Sequence, residues 1–209
     1  ALEQFELYRP DVIRSFQALA ATGNVEMLSE TYYHSLSFNY SVEEFDRQVL
    51  MHREKIKALF GLEPAIFRNT ELIFNNELAA HVASLGYKGM LCEGTDRYLQ
   101  TRLPNHIYSS PGITNFSLLL KNYRLSDDIA FRFSNHEWED WPLTADKFSE
   151  WLHKHAGNAE TINLFMDYET FGEHQWKETG IFDFLDNLPE MILDHPDFYF
   201  RSPSEVIAA

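Results

Sequence analysis

Residues 162–166 form a short apolar run broken only by Asn163, and directly behind it Asp167, Glu169, Glu173 and His174 arrive within eight positions, divided by Gly172. An apolar run of that length reads as a strand buried in a parallel sheet. Carboxylates massed at its C-terminal end are what the functional rim of an α/β barrel or open α/β sheet carries. Asp167 and Glu169, two apart on an extended backbone, are expected to point the same way. The plain alternative is a solvated turn between strand and helix. The neighbouring aromatics Tyr168, Phe171 and Trp176 favour a sugar-facing site instead.

The rest of the chain alternates in the same manner. Helices are predicted over residues 11–21, 41–60, 76–85, 126–133, 144–155 and 182–188, and strands over 25–29, 64–69, 87–92, 106–108, 116–120, 162–166 and 198–200. The spacing Ser41-x-x-Glu44 reads as a capping box, and Gly61 and Gly86 as helix stops. Alternation at this spacing is the pattern of parallel βαβ units. Three of the strands carry acids at or near their ends, Glu26, Glu71 and the Asp167/Glu169 pair, which a barrel would gather on one rim. No internal repeat or linker divides the 209 residues, so a single domain over 1–209 is expected.

Composition removes several classes of function. Seventeen Lys and Arg stand against 32 Asp and Glu, a formal net charge of −15, which repels nucleic acid and anionic lipid. No window has the apolar length of a membrane span, and the first residues lack a signal pattern. A lone cysteine, Cys92, excludes an intrachain disulfide framework and points to a reducing, cytoplasmic setting. Aromatic residues make up 15% of the chain; most are core, and the excess suits stacking on sugar faces.

Three short segments then carry a resemblance: GNVEML at 23–28, FRNTEL at 67–72 and MDYETFG at 166–172. In order and spacing they resemble three of the five conserved regions of glycoside hydrolase family 57, the α-amylase and 4-α-glucanotransferase family. The resemblance implies an incomplete (β/α)7 TIM-like barrel, here lacking its first strand, and a retaining enzyme acting on α-1,4-glucans. It implies Glu71 as nucleophile, Asp167 as acid/base and Glu26 as a ligand of sugar hydroxyls. The family's first region, His-Gln-Pro, has no counterpart in this sequence, nor has the fifth. The chain is therefore expected to be a central part of a larger enzyme, its open barrel edge covered by a second copy or a rearranged segment.

Chemistry fills in the remaining roles. Asp167 must hold a proton while Glu71 is ionised, and Glu169 is a source of the negative charge that arranges this, as well as a partner for a sugar hydroxyl. Arg68 either favours the ionised form of Glu71 or makes a surface ion pair. His34 either lines the pocket with Tyr32 and Tyr33 or is a hydrogen-bonded structural residue. His174 and Trp176 form a subsite wall or cap the next helix. No cofactor and no metal is expected: His-Glu-x-x-His is missing, and His153 and His155 face different sides of a helix. Three alternatives stand beside hydrolysis: a 4-α-glucanotransferase, an α-glucan-binding fragment without turnover, and a metal-dependent deacetylase or mannosidase-like barrel.

Overall fold

A computed structural model describes residues 1–209. Nine α-helices, α1 (Leu2–Tyr8), α2 (Pro10–Ala21), α3 (Val42–Phe60), α4 (Asn76–Ser84), α5 (Asp96–Leu99), α6 (Tyr123–Asp127), α7 (Ala145–His153), α8 (Ile181–Leu193) and α9 (Pro203–Ala208), accompany four strands, β1 (Ile66–Arg68), β2 (Gly89–Glu93), β3 (Ile107–Ser109) and β4 (Ser117–Lys121). The fold is α/β with a mixed sheet in the order β1-β2-β4-β3. β1 and β2 run parallel, Ile66 beside Gly89 and Arg68 beside Leu91. The crossover between them is α4, as a parallel pair requires. No helix is long and apolar enough to cross a membrane. The chain packs as two units: Ala1–Cys92 with Tyr108–Leu119 and Arg201–Ala209, and Glu93–Ile107 with Leu120–Phe200.

In the first unit, α3 shows how sequence becomes packing. Ser41 accepts a hydrogen bond from the Glu44 amide at 3.1 Å, and Gly61 closes the helix in the left-handed conformation at φ 70°. Only this half of the expected capping box forms, because the Glu44 carboxylate is taken by Arg47 and Gln48. The buried stripe is Phe45, Gln48, Val49, His52 and Ile56, the i, i+3/i+4 spacing of one helix face. Phe45 meets Phe67 of β1 edge-on at 5.6 Å, and Phe67 meets Tyr87 at 5.5 Å. Gly89 admits nothing larger, since a Cβ there would stand 2.8 Å from the Ser117 carbonyl. In the second unit, α7 and α8 bury Phe148, Leu152, Ile181, Phe184 and Leu188 together with Phe133 and Leu143.

Three expected strands are not strands. Of residues 25–29 only Ser29 reaches the sheet, as a single parallel bridge to Phe67, while Glu26 turns to α9. The run 162–166 joins no ladder. Asn163 explains this: its carbonyl accepts from the Asn122 amide at 2.9 Å and its side-chain amide donates to the Leu120 carbonyl at 3.0 Å. The Phe165 amide is met by the Ser126 hydroxyl. Side chains thus satisfy backbone that a ladder would otherwise pair. Residues 198–200 form no strand because Phe198 folds back onto His195 and stacks edge-on against His153 at 5.0 Å.

Cys92 lies on β2, 2% exposed, where burial pushes its thiol far up from the ordinary range. The thiolate is the reactive form. The native protein is therefore expected to take up no iodoacetamide at pH 8 and one equivalent in denaturant, read by intact mass; alkylation of the folded protein would contradict the burial.

Candidate active site

The loop before α3 is built around buried polar groups. The Thr31 hydroxyl, fully buried, accepts from the Ser35 amide at 2.8 Å and lies 3.2 Å from the Thr70 hydroxyl, which donates to the Ser35 carbonyl. From the stripe of α3, Gln48 accepts from the Ser35 hydroxyl and the Tyr33 amide, and His52 accepts from the Glu30 amide. These contacts turn the chain so tightly that His34 adopts φ 53°. The facing turn, Thr70–Leu72 at the end of β1, is equally constrained: Glu71 sits at φ 55° and Leu72 at φ 54°. The Asn69 side chain straps this turn by donating to the Ile73 carbonyl at 2.9 Å. Non-glycine residues in the left-handed region cost of order 1–3 kcal/mol each and gather at functional sites.

The two strained residues meet. His34 Nε2 lies 2.9 Å from Glu71 Oε1, and His34 Nδ1 lies 3.6 Å from Glu30 Oε2. Arg68 donates to the same Glu30 oxygen at 3.3 Å. The hydrogen bond from His34 holds the Glu71 carboxyl below the usual range; partial burial opposes it, and the charges of His34 and Arg68 add to it. Arg68 thus does both things expected of it, pairing with Glu30 and acting on Glu71 at longer range. Burial pushes His52 downward, against the charge of Glu30, which suits its ring nitrogen to accept the Glu30 amide. The Glu71 side chain remains about two-thirds exposed. Glu26 is engaged elsewhere: its oxygens accept from the backbone amide of Ser204, at 2.7 Å, and from the Ser204 hydroxyl. A carboxylate there meets the positive end of α9.

In the second unit Asp167 is exposed and stands at the N-terminus of a 3-10 turn, Tyr168–Thr170. The alternation argument for Asp167 and Glu169 therefore does not apply: the backbone between them is helical, not extended. The loop behind is held by Gln175, whose amide donates to the Thr170 carbonyl and whose side chain donates to the Ala130 carbonyl, both at 2.9 Å. His174 and Trp176 line an open cavity of about 530 Å³ with Ser134, His136, Trp141 and Glu178, and Trp176 also stands at the N-cap position of the 3-10 turn Lys177–Thr179. Trp176 is 64% exposed, its ring fixed by a hydrogen bond from Nε1 to the Glu173 carbonyl. Trp141 stacks on His136 at 4.2 Å. Sequence reasoning gave His136 and Trp141 no role. The signal was the aromatic and acidic density of residues 136–141, HEWEDW.

The sequence matches the family model for glycosyl hydrolase family 57 over residues 1–209. The chain belongs to that family. A Methanocaldococcus jannaschii protein named "Putative alpha-amylase" is 48% identical over 207 residues, which is 99% of this chain and 44% of that relative. The chain thus spans less than half the length of the relative it matches. Among solved structures, the 4-alpha-glucanotransferase from Thermococcus litoralis is similar with a TM-score of 0.78 and 19% identity, over 99% of this chain and 32% of that one. The alpha-amylase AmyC from Thermotoga maritima gives 0.68 and 14%, over 99% and 53%. At those identities the likeness is one of fold. Family 57 membership bears out the resemblance drawn from GNVEML, FRNTEL and MDYETFG.

Proposed function

We propose that this chain carries the chemistry of a retaining α-amylase-like glycoside hydrolase acting on α-1,4-glucans, its sheet part of an incomplete (β/α)7 barrel. The observation that carries the reading is the Glu71 carboxylate, exposed, held ionised by His34 and fixed in a left-handed turn at the end of β1. Glu71 attacks the anomeric carbon as the bond to the leaving sugar breaks, and the leaving oxygen takes the proton of Asp167. Asp167 then removes a proton from water, which attacks the same carbon and frees Glu71. Retaining enzymes hold two such carboxyls about 5 to 5.5 Å apart. His34 and Arg68 prepare the nucleophile. Glu169 bonds sugar hydroxyls, as does Glu26 in exchange for Ser204, while His174 and Trp176 offer a stacking wall. The setting proposed is the cytoplasm, with a second copy covering an open barrel edge.

A 4-α-glucanotransferase is the second reading, favoured by the fold likeness to the Thermococcus litoralis enzyme; a sugar hydroxyl then replaces water in the second step. Proton NMR of maltoheptaose cleavage tests both. First-formed products in the α-anomeric form support retention, and release of reducing ends without longer chains separates hydrolysis from transfer. A β-anomer would overturn the assignment of Glu71. Binding without cleavage would leave a glucan-binding protein, and inhibition by a chelator would favour the metal-dependent reading.

A further inference from the structure

Glu30 enters neither the family motifs nor the mechanism above, yet it is the group on which the surroundings of Glu71 converge. Its Oε2 faces two cations or potential cations at once, the Arg68 guanidinium at 3.3 Å and His34 Nδ1 at 3.6 Å. Its backbone amide is fixed to His52 Nδ1 at 3.4 Å, so the residue is held from main chain and side chain together. On the far side of the same imidazole, Nε2 meets Glu71 Oε1 at 2.9 Å. A histidine nitrogen donates to one carboxylate in a defined way only when the other nitrogen is told which role to take. Here the second nitrogen is addressed by a carboxylate that Arg68 keeps in place.

We infer that Glu30 is a positioning residue: it holds the His34 ring so that Nε2 faces Oε1 of Glu71, leaving Oε2 as the attacking oxygen. The inference rests on the reading of Glu71 as nucleophile only for its kinetic consequence; the ring orientation stands apart from it. The groups facing His34 are Glu30 and Glu71, with Arg68 behind Glu30 and His52 beneath its backbone. All four side chains of the chain from Arg68 to Glu71 are partly exposed, 24% for Arg68, 32% for Glu30, 48% for His34 and 69% for Glu71. Ion pairs so placed add little to stability. The effect of removing Glu30 belongs in the site and not in the melting temperature.

Glu30→Gln tests this, because it keeps the shape and loses the charge. Long-range proton–nitrogen spectra of the imidazoles, with His34 assigned by its disappearance in His34→Asn, report which ring nitrogen carries the proton. In the native protein a donor proton on each His34 ring nitrogen is expected, because each faces a carboxylate that can only accept. In Glu30→Gln the Nδ1 signal of His34 moves while the other histidines hold still. Unchanged His34 signals would overturn the inference, whether or not any glucan is turned over. On maltoheptaose, kcat of Glu30→Gln is expected to fall about ten- to a hundredfold, the size of effect when a ligand imidazole loses its outer carboxylate. KM stays within about twofold, and the acidic limb of kcat/KM moves to higher pH. A native enzyme that fails to cleave glucan sinks the assignment of Glu71, and the spectra still decide the role of Glu30. A KM raised well beyond twofold with an unmoved acidic limb would make Glu30 a substrate contact and overturn its positioning role.

Discussion

Glu71→Ala is expected to lower kcat on maltooligosaccharides by roughly 10⁵- to 10⁶-fold, the scale on which an enzyme loses its nucleophile. The side chain is two-thirds exposed and packs against nothing that would collapse, so the variant should fold and melt near the parent. Azide supplied with an α-glycosyl fluoride should restore turnover and yield the β-glycosyl azide, since the small anion attacks from the face Glu71 vacates. Rescue giving the α-azide would assign the lost carboxylate to the other role. The pH dependence follows from the same hydrogen bond. In the proposed mechanism Glu71 works as a carboxylate, and the bond from His34 depresses its pKa. Activity is therefore fully present above the ordinary glutamate range and falls only as pH drops through the lowered value. His34→Ala should shift that acidic limb upward, toward an ordinary glutamate.

Asp167→Asn is expected to cost about 10²- to 10⁴-fold on glucans, the usual share of a general acid. The loss should depend on the leaving group. A sugar oxygen leaves only with a proton, whereas fluoride leaves without one, so an α-maltosyl fluoride should form the covalent intermediate at near the native rate. The intermediate then accumulates, because no base activates water, and the first turnover appears as a burst. Equal losses on glucan and fluoride in the rate of forming the intermediate, with no burst, would contradict the acid/base role. The side chain is exposed at the head of the Tyr168–Thr170 turn, so stability should change little.

How far the fold was legible depended on whether local rules met tertiary ones. α3 was readable from Ser41, Gly61 and its apolar spacing, and β2 from an unbroken buried run, because nothing in the fold opposes those preferences. The run 162–166 misled because a mostly apolar sequence cannot reveal that Asn163 will hold it by side-chain bonds instead of a ladder. α9 was missed although Ser202, with Pro203 behind it and Glu205 three residues on, forms a complete capping box; that signal was present and passed over. At the candidate site, the motifs point to Glu71 and Asp167 as the proposed pair. The contact of His34 with Glu71 was not readable, because it joins distant segments through two non-glycine residues at positive φ, a strain held by buried polar groups such as Thr31, Thr70 and Gln48 that come together only in the fold. Glu30 was invisible for the same reason.

The most direct test of the central claim is to trap the covalent intermediate and find where it sits. A 5-fluoroglycosyl fluoride of the α-glucan series forms a glycosyl ester that hydrolyses slowly, and proteolysis with tandem mass spectrometry locates it. The account predicts the added sugar on the Glu71 carboxyl, within the FRNTEL segment, and none in Glu71→Gln. A label on any other carboxylate, or steady turnover of glucan with no trapped ester, would contradict it.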